Sequence, residues 1–193
     1  MSYDIRLVDP VTNEPLHTKA NHDMRGGMYA MGGTTELWLN ITWNYADYYY
    51  EATNGDKRFA HEEITGYTNG EPDGVETRYG IRGTYGKTGA ESIPMLEDMI
   101  NKIESTYKDE NGEWKTARRK RRVVYDEDGY RTKMEVYEAA CSNIKYTVKT
   151  EEYDISEGDT SNYWTDTAAN ALRPLYQLIA MARIRPDGIW EGD

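Results

Sequence analysis

The sequence predicts an α+β fold: one domain over residues 1–193, with a small mixed or antiparallel sheet, two or three helices, and an inserted three-stranded β-meander at 106–158. Three observations carry this expectation. Segments with period-two alternation and segments with helical period follow one another without the regular strand–helix–strand spacing of a parallel sheet. Leu, Ile, Val and Phe supply only 28 of the 193 residues, and 17 Tyr, 5 Trp and 8 Met fill the gap. An aromatic ring buries roughly 150–250 Å², so a Tyr-rich core offsets chain entropy in a composition that otherwise borders on disorder. Finally, residues 106–158 hold 11 basic and 12 acidic residues, against 12 and 22 in the remainder. That asymmetry marks them as an insertion.

The elements follow in chain order. Tyr3–Val8 alternates loosely and is stopped by Asp9-Pro10, with Asn13-Glu14-Pro15 adding turn chemistry. Gly26-Gly27 and Gly32-Gly33 bracket a short apolar strand. Glu36–Trp43 has strand-like β-branched and aromatic content, yet Leu37, Ile41, Tyr45 and Tyr48 recur at helical spacing. A short strand therefore passes into a helix near Asn40–Thr42, either of which can cap it, and the helix ends at Asn54-Gly55. Residues 55–87 contain seven Gly and little periodicity, which predicts loops with one or two short strands such as Glu76–Ile81.

A helix follows, capped by Thr88 with Glu91 in a capping box, Ser92 being the competing start. Ile93, Leu96, Ile100 and Ile103 form its apolar stripe. In the insertion, Arg118–Tyr125, Tyr130–Glu138 and Asn143–Tyr153 read as three strands, the first two joined through Asp128-Gly129. Thr165 or Thr167 caps a last helix with Leu172, Leu175, Ile179 and Ala182 on one stripe and Pro174 inside it as a potential kink. Arg185-Pro186-Asp187-Gly188 stops that helix, and Trp190 is expected to fold back and pack.

A net charge of −11 argues against a general nucleic-acid binder, because phosphate neutralisation needs a basic face. No apolar run is long enough to span a bilayer, and the N-terminus lacks the pattern of a secretory signal. Cys141 is the single cysteine, which leaves no disulfide framework or cysteine metal cluster. The expected compartment is the reducing cytoplasm. No cofactor and no metal are expected: His61-Glu62-Glu63 lacks the second histidine of a zinc helix, and the Gly pairs match neither a P-loop nor a dinucleotide fingerprint. His22-Asp23 has the elements of a base with an orienting carboxylate, or is an ordinary loop histidine.

Two sets of candidate contact residues remain. Arg25 as an anion clamp, with Glu36, Asn40, Asn44 and Tyr45 on one side of the strand–helix junction, would form a small-ligand pocket; the plainer reading is tight-turn glycines, caps and solvated polar groups. Arg118, Arg119, Lys120, Arg121 and Arg122 form the basic run, which would meet nucleic acid or an acidic partner, or guard a sheet edge against aggregation.

Several blocks together resemble a group of small, uncharacterised acidic proteins from phages and mobile elements. They are Tyr3-Asp4-Ile5 with Val8-Asp9-Pro10, Met24-Arg25-Gly26-Gly27-x-Tyr29-Ala30-x-Gly32-Gly33-Thr34, Leu39-Asn40-Ile41-Thr42-x-Asn44-Tyr45, Thr88-Gly89-Ala90-Glu91-Ser92-Ile93-Pro94 and Arg185-Pro186-Asp187-Gly188-x-Trp190-x-Gly192-Asp193. The resemblance implies a context and no mechanism: acidic accessory proteins of phages often antagonise host defence, anti-CRISPR proteins among them. The expected function is a non-enzymatic inhibitor that binds a host nucleic-acid-handling defence protein or nucleoprotein complex, a Cas effector being one such target, with no membrane partner. Two alternatives stand beside it: a pocket protein binding or hydrolysing a small phosphorylated ligand, and a phage structural or assembly protein.

Overall fold

The structure, a computed structural model, describes residues 2–22 and 33–193. The fold is α+β. Its strands are β1 (Ser2–Val8), β2 (His17–His22), β3 (Thr34–Glu36), β4 (Trp38–Thr42), β5 (Ala60–Ile64), β6 (Tyr67–Thr68), β7 (Glu71–Pro72), β8 (Val75–Tyr79), β9 (Thr116–Asp126), β10 (Tyr146–Ser156) and β11 (Ile189–Gly192). Its helices are α1 (Ala46–Thr53), α2 (Gly89–Tyr107), α3 (Val136–Cys141) and α4 (Ala168–Ile184). The chain divides into two compact units, Trp114–Glu157 forming the second and the residues on either side of it the first.

The first unit is built on a three-stranded antiparallel sheet in the order β11-β1-β4. Alternation along β1 buries Tyr3, Ile5 and Leu7, the period-two signature of a strand with one face on the core. Thr42 ends β4 and caps the following 3-10 turn, its hydroxyl accepting from the Asn44 N–H. The strand-to-helix transition thus falls where the sequence places it.

Helix α2 starts at the Thr88–Glu91 capping box, with Thr88 Oγ1 accepting from the Glu91 N–H at 3.1 Å and Glu91 Oε2 from the Thr88 N–H at 2.8 Å. Ser92, the rival start, is instead a fully buried helical residue. Thr167 caps α4, its hydroxyl accepting from the Asn170 N–H. Met95, Leu96, Met99, Ile100 and Ile103 of α2 and Ala171, Leu172, Leu175, Leu178, Ile179 and Ala182 of α4 are the buried stripes. A large apolar side chain so placed contributes roughly 1.5–3 kcal/mol. Both helices run through a proline, Pro94 and Pro174. Trp190 does fold back: it is 2% exposed in β11, and its Nε1 donates to Ser92 Oγ at 2.7 Å.

Three expectations change. Residues 55–87 are more ordered than their glycine content predicts, forming one long arm in which β5 pairs with β8 and β6 with β7. The Asn69-Gly70 turn at its tip supplies the reason, because both residues take positive φ, +53° and +87°, as a two-residue hairpin turn requires. The arm is held at its base by close packing: a Cβ on Gly83 would lie 2.3 Å from the Phe59 backbone.

The three-stranded meander is also corrected. The second unit is a two-stranded β9–β10 hairpin, and the middle strand expected at Tyr130–Glu138 is absent. Arg131 makes a single bridge to Tyr125, Thr132 N–H donates to the Val124 carbonyl at 2.9 Å, and the chain then turns into α3. Glu135 and Glu138 form a capping box there, which overrides the period-two pattern of the preceding residues. This α3 is the helix the sequence did not announce. The segment bracketed by the two Gly pairs lies outside the described residues.

Candidate functional site

Two hairpins present the most chemistry, one in each unit, and they are built in opposite ways. In the arm of the first unit, residues 60–79 carry five carboxylates against one arginine. The register pairs Ile64 with Val75, Glu62 with Thr77 and Glu63 with Glu76. Alternation then sorts the side chains. His61 and Glu63 turn to the half-buried side, where Glu63 accepts from Arg82 Nη1 at 2.8 Å and pairs with Arg78 Nε at 3.1 Å. Arg82 in turn lies over the rings of Tyr3 and Trp43, at 5.4 and 5.6 Å from their centroids. This side anchors the arm. The other side is open: Ile64 and Val75 are 43% and 60% exposed beside Glu62, Glu71 and Asp73. An apolar patch rimmed by charge of one sign is the composition of a protein-contact surface.

The hairpin of the second unit is nearly neutral, with 10 basic and 9 acidic residues over 114–157. Antiparallel register sets the basic run of β9 directly against the acidic run of β10: Arg118 faces Asp154, Lys120 faces Glu152 and Arg121 faces Glu151. Arg118 Nε pairs with Asp154 Oδ1 at 3.2 Å, Lys120 Nζ with Glu152 Oε1 at 3.8 Å, and Arg119 Nη2 with Glu157 Oε1 at 2.7 Å. Glu157 is the one carboxylate buried among the described residues. Arg121 lies 4.8 Å over the Tyr153 ring and Lys149 4.5 Å over the Tyr125 ring. Cross-strand pairs of this kind contribute ~0.2–1 kcal/mol each. Most of the basic run is therefore neutralised within its own hairpin.

One part of it is not. A cleft of about 650 Å³ opens between the outer edge of β9 and the segment Arg131–Glu135. Arg121, Arg122, Arg131 and Lys133 line it with Val123, Val124, Thr132, Met134 and a single carboxylate, Glu135. Arg121 and Arg131 share Glu151, each at 3.4 Å. The Tyr125 hydroxyl donates to the same carboxylate, and with the two guanidiniums it holds Glu151 below the usual carboxylate range. Arg122 and Lys133 have no ion pair among the described residues. Val124 accepts from Thr132 on the outer edge, so by the strand's two-residue period the N–H and C=O of Arg122 point to that edge too.

Of the residues expected in a small-ligand pocket, Asn40, Asn44 and Tyr45 are engaged in hydrogen bonds within the fold. Asn40 is buried and donates to Ser2 Oγ at 3.0 Å and Asp4 Oδ1 at 2.9 Å. Asn44 donates to the Trp164 carbonyl at 2.7 Å, and the Tyr45 hydroxyl donates to the Tyr163 carbonyl. Tyr48 and Tyr49 reach Asp166 and Ala171 in the same manner. These side chains of the 3-10 turn and α1 thus tie down the segment leading into α4. Burial pushes the Tyr45 phenol well above its ordinary value. Glu36 uses its backbone, its carbonyl accepting from His22 Nε2 at 2.8 Å. Arg25 and Asp23 lie outside the described residues. His61 sits in β5, and no group of three metal-ligating side chains occurs among the described residues. Cys141 is exposed at the end of α3.

Sequence reasoning missed Arg131 and Lys133, which lie across a turn from the basic run, and the open side of the acidic arm. The Asn69-Gly70 dipeptide was the available signal for the arm. No described helix is long and apolar enough to cross a membrane. No protein-family model, no curated protein and no solved structure matches this chain.

Proposed function

We propose that the protein is a non-enzymatic accessory factor of a phage or mobile element that acts in the host cytoplasm by binding and inhibiting a nucleic-acid-handling defence protein, such as a Cas effector. The observation that carries this reading is the open side of the β5–β8 arm, where Ile64 and Val75 are exposed among carboxylates. A protein that handles nucleic acid presents a basic groove, and an acidic arm with apolar anchors is complementary to it in both charge and contact. The first unit as a whole, with 25 acidic and 13 basic residues, adds long-range attraction to such a groove.

The test is phage plating on hosts that carry defined CRISPR–Cas systems, with and without the chain expressed. Restored plating against at least one system is expected. The variant E62Q/E71Q/D73N, which removes charge from the open side, should lose that protection while melting normally. Equal plating with and without the chain in every system refutes the reading, and full protection by the triple variant removes the arm from it.

A further inference from the structure

The cationic cleft of the β9–β10 hairpin points to a ligand of its own. We propose that it binds the phosphodiester backbone of single-stranded nucleic acid, with Tyr130 and Tyr137 supplying stacking surfaces for unpaired bases. This site does not depend on the defence-inhibitor reading, which rests on the acidic arm.

Four observations converge. The cleft gathers Arg121, Arg122, Arg131 and Lys133 around a space of about 650 Å³, against one lining carboxylate. Two of those cations, Arg122 and Lys133, have no ion pair among the described residues, although the neighbouring Arg118, Arg119 and Lys120 are each matched to a carboxylate. The cleft is backed by the buried Val123 and Val124, so charge attraction there is screened less than at an open surface. The unpaired outer edge of β9 adds the backbone N–H of Arg122 as a further donor to a phosphate oxygen.

The tyrosines decide the occupant. The lining segment Arg131–Glu135 is bracketed in the chain by Tyr130 and Tyr137, which are 71% and 69% exposed. Neither ring contributes to the core, and neither has a ring partner among the described residues. Cations that track a backbone, with exposed rings alongside, are the elements of single-strand recognition. Duplex bases are already stacked and would leave both rings unused. A phosphopeptide would engage the arginines but gain nothing from the pair of tyrosines. With a net charge of −11 on the chain, the footprint is confined to the few nucleotides the cleft covers.

The experiment measures fluorescence anisotropy of a labelled twelve-nucleotide single strand with the full-length protein across a salt series. The wild type is expected to bind at low salt with a log–log salt slope of several units. R122Q/K133Q removes two phosphate contacts and should flatten that slope by about 1.4 while weakening low-salt binding at least about tenfold. Y130A/Y137A should weaken binding by about fivefold or more with the slope unchanged. R118Q/K120Q, which lies outside the cleft, should change neither. If R122Q/K133Q melts below wild type, K133Q alone carries the same test with half the change in slope, because Lys133 is exposed. Absence of wild-type binding at low salt, equal losses from the cleft and control variants, or duplex or phosphopeptide bound as tightly as the single strand would each overturn the proposal.

Discussion

The two hairpins solve the same problem, a long two-stranded ribbon with no covering sheet, by opposite means. The β5–β8 arm and its tip place carboxylates opposite Thr or another carboxylate, leaving charge and apolar surface unmatched on the open side. The β9–β10 hairpin places Arg118, Lys120 and Arg121 opposite carboxylates and spends most of its charge internally. A basic run in a sequence is therefore weak evidence of a basic surface until its strand partner is known. The useful residues are those that the partner fails to match, Arg122 in the run and Lys133 beyond the turn.

The largest expected effect tests how differently the two hairpins are anchored. Replacing Arg119 with Gln removes a charged partner of the buried Glu157 carboxylate and should cost up to about 3 kcal/mol. The matching change in the arm, Arg78→Gln, touches a 43%-exposed side chain paired with Glu63 and Glu76 and should cost less than about 1 kcal/mol. Urea denaturation of both variants measures the contrast, and equal losses would break it.

Next comes the acidic strand of the ladder. E151Q/E152Q/D154N should destabilise by no more than ~1 kcal/mol per pair, yet it releases Arg118, Lys120 and Arg121 from their partners. Single-strand affinity should rise and its salt dependence steepen. An unchanged slope would mean that the cross-strand acids do not mask the run.

A smaller effect is expected at the tip of the arm. Gly70 holds φ at +87°, so Gly70→Ala should cost about 1 kcal/mol. Hydrogen exchange should localise the loss to residues 64–75 and leave β9–β10 unchanged.

The smallest expected effect is a pH dependence within the ladder. The Tyr125 hydroxyl, followed by Arg131 and Arg121, lowers the Glu151 carboxyl. A folded-state value below the unfolded one stabilises the fold above the usual carboxylate range and ceases to do so as pH falls through the folded value. The difference in melting temperature between wild type and E151Q should therefore be present near neutrality and shrink as pH falls below the usual carboxylate range. A difference that grows on acidification would contradict the assignment.

What was legible in the sequence depended on how a residue is held. The stripes and caps of α2 and α4 were legible because they use local chemistry: Thr88 with Glu91, and Thr167 ahead of a helical run. Trp190 was legible through its size alone. The arm was hidden because its strands bury little, so no apolar alternation marks them, and only Asn69-Gly70 announces the turn. Tyr130–Glu138 misled because Tyr130, Thr132, Met134 and Val136 alternate while Glu135 and Glu138 cap a helix within the same stretch. The cleft could not be read from spacing, since Arg122 and Lys133 meet only across the turn that the Asp126–Gly129 segment makes.

The register of β1 has a consequence for how the chain is made. Its residues pair on one side with β4, some thirty-five positions on, and on the other with β11, where Ile5 meets Gly192. A ribosome adding about 5–20 residues per second delivers that last strand roughly ten to forty seconds after the first. For this interval β1 has one open edge, and the Ser92 hydroxyl waits for the indole that will be its donor. The β9–β10 hairpin faces no such delay, because both of its strands emerge within a stretch of 44 residues. Translation thus imposes an order on the molecule: both strands of the charge ladder emerge before the strand that closes the central sheet.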